Sequence, residues 1–267
     1  MRFIIITLAL LFSNASLAWT QQPPLPIEQC QKQAPYGYPQ TDKRGIPICR
    51  VGYVTLNDTD AKLPIWTSYV LHPEYALGCV PRSNSFAADA SLPKGMRAEV
   101  ADYARSGYDI GHIAPNADMS RFDQTELESF LLTNMAPQLP GLNRGIWKLL
   151  ETNVRGWTVQ RGHPYVVYAG PLYGRGDKTI GLNKVVVPHG FYKIVIDMTT
   201  HETAGFMFPH IGNQGNDLTK VRAPISAIEQ EARVAFSFPQ DTIELPLNYI
   251  WPVNYKALHD AKTSSCH

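Results

Sequence analysis

Three short segments constrain this chain more than anything else in it: Tyr108-Asp109-Ile110-Gly111-His112-Ile113-Ala114-Pro115, Thr133-Asn134-Met135-Ala136-Pro137-Gln138 and Leu142-Asn143-Arg144-Gly145-Ile146-Trp147. Together they supply an imidazole and then amides at separations suited to a hairpin that leads into a helix. The helix is expected over residues 143–160, beginning after Pro140-Gly141. On it Asn143, Trp147, Glu151 and Arg155 recur every four residues and share one slowly drifting stripe, with Asn143 and Glu151 about 12 Å apart along the axis.

The remaining pattern is mixed. Alternation in Tyr53-Val54-Thr55-Leu56 and again over Ile65 to Val70 predicts two strands around the turn Asn57-Asp58-Thr59-Asp60. Stronger strands are expected at Tyr165 to Pro171, Gly190 to Asp197 and Thr203 to Phe208. Helices are expected at Glu99 to Ser106, Ile225 to Ala232 and Asp123 to Leu132, the last with Asp123 as its cap and Glu126 placed to complete a capping box. Strands and helices do not alternate around a glycine-rich phosphate loop. The fold class is therefore α+β, a central antiparallel sheet with inserted helices.

The first 18 residues read as a secretory leader: Arg2, the apolar run Phe3 to Phe12, then a small polar stretch with Ser16 and Ala18 before Trp19. The apolar run is too short to span a bilayer, so cleavage and export to the periplasm or the extracellular space are expected, with no membrane attachment afterwards. Residues 19–50 form a Pro-rich arm, extended or irregular, and residues 51–267 form one domain; at 44% hydrophobic residues a chain of this length buries a full core. Cys30, Cys49, Cys79 and Cys266 lack CxxC spacing, which in an oxidising compartment points to two disulfides rather than zinc. Of the three possible pairings, Cys30 with Cys49 and Cys79 with Cys266 is preferred. The other histidines lie singly, without the spacing of a zinc site.

Formal net charge is +1, so affinity for a polyanion must come from a local patch rather than from the whole surface. Arg144, Lys148, Arg155 and Arg161 against Glu151 form one candidate, and it adjoins the three segments.

These residues resemble the DNA/RNA non-specific endonucleases of the ββα-metal class. The resemblance rests on Asp109-Ile110-Gly111-His112, on Asn134-Met135-Ala136-Pro137-Gln138, and on Asn143 with Leu150-Glu151 after it. It extends to Arg82 with Phe86 upstream and to Ala169-Gly170-Pro171 and Phe191-Tyr192-Lys193 downstream, covering residues 51–239. It implies a ββα-metal finger active site and cleavage of DNA and RNA. One position departs from the family pattern: its Asp-Arg-Gly-His arginine is Ile110 here, and whether another basic residue offsets the loss is open.

Phosphodiester hydrolysis needs a positioned water, charge neutralised on the phosphoryl oxygens and a stabilised leaving oxygen. His112 suits the first task, because a neutral imidazole accepts a proton near physiological pH. Asn143 suits direct ligation of a largely hydrated magnesium ion, with manganese as the alternative, and Glu151 would orient the ion's waters. Arg82 and Arg155 would hold developing charge, and Asp109, Asn134 and Gln138 would support the site. A second function class, a non-catalytic nucleic-acid-binding protein on the same fold, has no need of an imidazole opposite a metal ligand.

Overall fold

The structure, a computed structural model, describes residues 19–266; the leader read over residues 1–18 lies outside them. In chain order the first elements are β1 (Gln40–Thr41), β2 (Ile46–Cys49), β3 (Val54–Asp58), β4 (Leu63–Leu71), β5 (Asp109–His112), α1 (Asn116–Met119), α2 (Asp123–Ser129), β6 (Met135–Gln138), α3 (Pro140–Leu142) and α4 (Lys148–Arg161). After them come β7 (Tyr165–Leu172), β8 (Thr179–Ile180), β9 (Val185–Val186), β10 (Gly190–Asp197), β11 (Glu202–Pro209), α5 (Ile225–Ala232), β12 (Val234–Ala235), β13 (Ile243–Glu244) and α6 (Tyr255–Ser265). None of the described helices is long and apolar enough to cross a membrane.

Seven strands make one sheet in the order β13-β11-β10-β7-β4-β3-β2, antiparallel except for the parallel pair β11/β13. β7 and β10 lie at its centre and are buried along their whole length, which is what their near-continuous apolar sequences require. Both faces are covered. Phe191 and Val195 of β10 join Trp147, Leu150, Trp157 and Phe208 in the core beneath α4, whereas Tyr192, Ile194 and Ile196 pack with Val166, Tyr168, Ile228 and Phe236 on the opposite face. Lys193 shares the parity of Phe191, so its ammonium is sealed on the α4 side. This α+β architecture agrees with the sequence reading, and α5 has the bounds that reading gave it.

The structure departs from local expectation in the arm, at α2 and at the start of α4, and where a helix is expected over Glu99 to Ser106 it has only a 3-10 turn at Val100–Tyr103. The arm over residues 19–50 is extended in part, β2 being an edge strand of the main sheet, but Ile27–Gln33 is a 3-10 helix that the reading did not include. Asp123 does not cap α2, which begins after Phe122 without a side-chain cap. Glu126 instead turns its Oε1 to the backbone N–H of Ser83 and to Asn116 Nδ2, burying the carboxylate where solvent could not satisfy it. The expected helix over residues 143–160 is broken at Gly145 (φ −98°, ψ −117°), where a π-type turn over Asn143–Trp147 joins α3 to α4. Both preferred disulfides, Cys30–Cys49 and Cys79–Cys266, are present. The first ties the arm to the sheet edge, and the second ties the end of α6 to the loop before Arg82.

Candidate active site

The site begins with the β5/β6 pair, in register Asp109↔Gln138, Ile110↔Pro137, Gly111↔Ala136 and His112↔Met135. Its connection is long and holds α1 and α2. Gly111 is required by a close approach: a Cβ there would lie 2.0 Å from Gln138 Oε1 and 2.6 Å from Gln138 Cγ. Gln138 is fully buried across that glycine, and neither of its amide atoms has a hydrogen-bond partner among the described residues.

The strand end bearing His112 is held from three sides. Asn134 is a clamp: its Oδ1 accepts from the Ala114 N–H, and its Nδ2 donates to the carbonyls of Ala114 and Ser129, each at 2.9 Å. Trp147 Nε1 donates to the His112 carbonyl (3.2 Å) and Lys193 Nζ to the Ile113 carbonyl (3.0 Å). That ammonium lies 4.1 Å from the centre of the Trp147 ring, so its buried charge is met by a carbonyl and a π-face.

A cavity of about 590 Å³ opens in front of this frame and brings together His112, Asn143, Glu151, Arg82 and Arg155. The two halves of the broken helix supply Asn143 on one side and Glu151 with Arg155 on the other, while Trp147 between them points inward to the core. The stripe is thus not a straight helix face, and the 12 Å separation of an unbroken helix does not apply. Asp109 fixes the Asn143 amide: Nδ2 donates to Asp109 Oδ2 at 2.9 Å, which leaves the Asn143 oxygen for another partner. Burial would raise the Asp109 carboxyl, but hydrogen bonds from Arg144 and Asn143 outweigh it and hold the group below the ordinary range.

His112 is 9% exposed, ringed by Phe86 (5.7 Å between centroids) and Phe130 (5.1 Å). Burial first, and the Arg82 cation second, push its pKa down to about 3, so the free imidazole is neutral at neutral pH. Nε2 is sealed without a partner among the described residues, leaving Nδ1 as the nitrogen a pocket water can reach. Arg82 lies over Phe130 at 4.9 Å and donates through Nε to Asn84 Oδ1. Burial raises the Glu151 carboxyl, against which the Lys193 charge acts; burial lowers Lys193. Among the described residues no group of three or more His, Cys, Asp or Glu side chains could hold a metal. The available donors are instead one oriented amide oxygen and one carboxylate. Hard oxygen donors in so small a number fit a magnesium-like cation that keeps most of its waters.

Two features were not assigned from the sequence. Asp118, fully within the protein behind the cavity, accepts from Arg155 Nη1 (2.7 Å) and from Tyr69 O–H (2.9 Å), which fixes the Arg155 guanidinium. Lys193 stood only as part of a matched tripeptide, without the anchoring role its contacts give it. The basic patch also divides: Arg144, Lys148 and Arg155 line the cavity, but Arg161 pairs with Glu202 (2.8 Å) and Asp197 (3.2 Å) elsewhere.

The chain is similar to several known proteins. It is 39% identical over 132 residues to a nuclease of Nostoc, covering 49% of this chain and 47% of that protein. It is 31% identical both to a nuclease of Syncephalastrum racemosum (70% of this chain, 66% of that protein) and to the mitochondrial endonuclease G of Bos taurus (70% and 67%). The chain thus spans about half the length of the first and about two thirds of the other two. An EndoG chain in a crystal structure of the EndoG/EndoGI complex superposes with a TM-score of 0.70 at 27% identity, over 84% of this chain and 93% of that one. The profile of the DNA/RNA non-specific endonucleases matches residues 31–242, most of the chain and all of the cavity-lining segments, and the chain belongs to that family.

Proposed function

We propose that this chain is an exported, metal-dependent endonuclease that hydrolyses phosphodiester bonds of DNA and RNA with little sequence preference. The observation that carries the reading is the convergence of a neutral imidazole, an amide oxygen aimed by Asp109, and two guanidiniums on one cavity. The contacts from Asn134, Trp147 and Lys193 hold His112 so that Nδ1 receives the proton of the attacking water. Its basicity is low in the free protein. An anionic phosphate beside Arg82 offsets that cation, which relieves the smaller of the two causes when substrate is in place. Arg155, locked by Asp118, holds charge that develops on the phosphoryl oxygens. Asn143 and Glu151 would hold the cation. Bound there, magnesium, or manganese in its stead, would polarise the phosphoryl oxygen and stabilise the leaving oxygen. Export rests on the leader-like first 18 residues and on the placing of all four cysteines in two disulfides.

The test is incubation of the purified mature chain with circular DNA and with RNA, with and without EDTA. Cutting of both substrates that EDTA abolishes is the expected result. Binding without cutting at any magnesium or manganese concentration supports the non-catalytic alternative, and cutting in excess EDTA removes the metal.

A further inference from the structure

The cavity has a depth gradient that the roles above leave unused. His112 and Arg155 are sunk in its wall at 9% and 15% exposure, whereas the Arg144 side chain is 72% exposed at the rim. Arg144 is nevertheless not loose. Its Nε and Nη2 make a forked pair with the two Asp109 oxygens at 2.9 and 2.6 Å, which fixes the guanidinium plane and leaves Nη1 without a partner among the described residues. Lys148, four residues on, lines the same cavity and is exposed, and its ammonium has no ion pair or hydrogen bond among the described residues. Two rim cations, one held by the carboxylate that also orients Asn143, therefore stand apart from the sunken Arg155 and from Arg82, which is also exposed but lies over Phe130 beside the imidazole. Ile110, a half-buried apolar side chain packed against the core, lines the same cavity and gives its strand no cation at this point.

We propose, resting on the nuclease reading above, that Arg144 and Lys148 form a second phosphate subsite, which binds the phosphate next to the scissile one and makes a polynucleotide a better substrate than an isolated diester. A single phosphate seated against the buried His112 and Arg155 does not occupy the exposed rim, but the following phosphate of a flexible strand is carried outward over it. The donors suit this ligand: a planar fork with a free edge, and a point charge on a flexible stem. Asp109 couples the two subsites, since one carboxylate aims both the Asn143 amide and the Arg144 guanidinium.

The experiment uses Arg144→Gln, Lys148→Gln and their combination, each checked for native circular dichroism. Binding of a fluorescent single-stranded oligonucleotide in EDTA is measured against salt, and cleavage is compared between that oligonucleotide and a dinucleoside monophosphate, which has no flanking phosphate. Each removed contact is expected to reduce the slope of log affinity against log salt by about 0.7, so salt sensitivity between 50 and 200 mM falls about threefold per contact. The KM for the oligonucleotide should rise by a larger factor than that for the dinucleoside, and Arg144→Lys should recover most of the slope. Ile110→Arg in the Arg144→Gln background should also restore it. An unchanged slope in the folded double variant overturns the subsite, as does an equal loss on both substrates, which would place these residues in the scissile centre. Failure of the nuclease reading looks different: the native chain would cut neither substrate, whatever the slopes.

Discussion

Replacing Asp109 by Asn exposes how the cavity aims its amide. The carboxylate accepts from Asn143 Nδ2 at 2.9 Å, from Arg144 Nε at 2.9 Å and from Arg144 Nη2 at 2.6 Å, three donors on two oxygens. An Asn offers one oxygen and one NH2, so one of those donors meets another donor if the NH2 takes the place of Oδ1, and two do, Asn143 Nδ2 and Arg144 Nε, if it takes the place of Oδ2. If the NH2 faces Asn143, that amide gains by rotating until its own oxygen accepts, which turns its nitrogen toward the cavity and withdraws the oxygen offered to the cation. A hydrogen bond to a charged group is worth about 1.5 to 3 kcal/mol, and at about 1.4 kcal/mol per factor of ten this is roughly a 10- to 150-fold rise in the magnesium needed for half-maximal activity. Loss of an outer partner at a metal site is of the same order, about 10- to 100-fold. The assay is the nicking rate of supercoiled DNA across a magnesium titration, for Asp109→Asn, Asp109→Ala and the native chain. Alanine frees the Asn143 amide without inverting it, so its requirement should fall between the other two. A folded Asp109→Asn chain with native magnesium dependence would refute the orientation argument.

Two other outcomes follow from the same contacts. With the folded pKa of His112 near 3 and the unfolded value near 6.5, the imidazole costs no stability above pH 6.5 and erodes it as the pH falls toward 3. The His112 ring-carbon resonance of the metal-free chain should therefore not titrate between pH 8 and about 4.5; a midpoint near 6.5 would remove the burial argument. Gly111→Ala should cost about 1 to 3 kcal/mol by overpacking against Gln138, and adding Gln138→Ala should recover part of it. Denaturant unfolding of both single variants and the double tests this, with about 0.5 to 3 kcal/mol of coupling expected and strict additivity as the contrary result.

The parts of the molecule legible in the sequence are those whose signal is local and repeated. β7 and β10 announce themselves as apolar runs because both faces are covered, and α5 because its apolar residues recur on one face before Arg233 turns left-handed. Much of the cavity lining was legible because it falls in the segment from Asp109 to Pro115 and on the helical stretch from Asn143 to Arg155, whereas Arg82 and Phe86 came from the family resemblance and Asn116 and Ala117 were not singled out. What escaped depends on partners distant in the chain. Asp118 meets Arg155 across 37 residues and Lys193 meets Ile113 across 80, and neither has a local pattern that singles it out. Glu126 carried a local motif, but tertiary donors outcompeted the helix end for its carboxylate. The break at Gly145 did have a signal, a glycine inside a helical run, which the regular spacing of Asn143, Glu151 and Arg155 concealed.

If His112 is the base that activates water, its removal must cost the chemical step and leave the fold and DNA binding intact. Single-turnover nicking of supercoiled circular DNA by native and His112→Ala chains, at saturating magnesium and matched circular dichroism, measures this directly. The expected loss is about 10²- to 10⁴-fold, the usual contribution of a positioned general base, with partial recovery on adding imidazole. Near-native nicking by a well-folded His112→Ala chain would contradict the assignment.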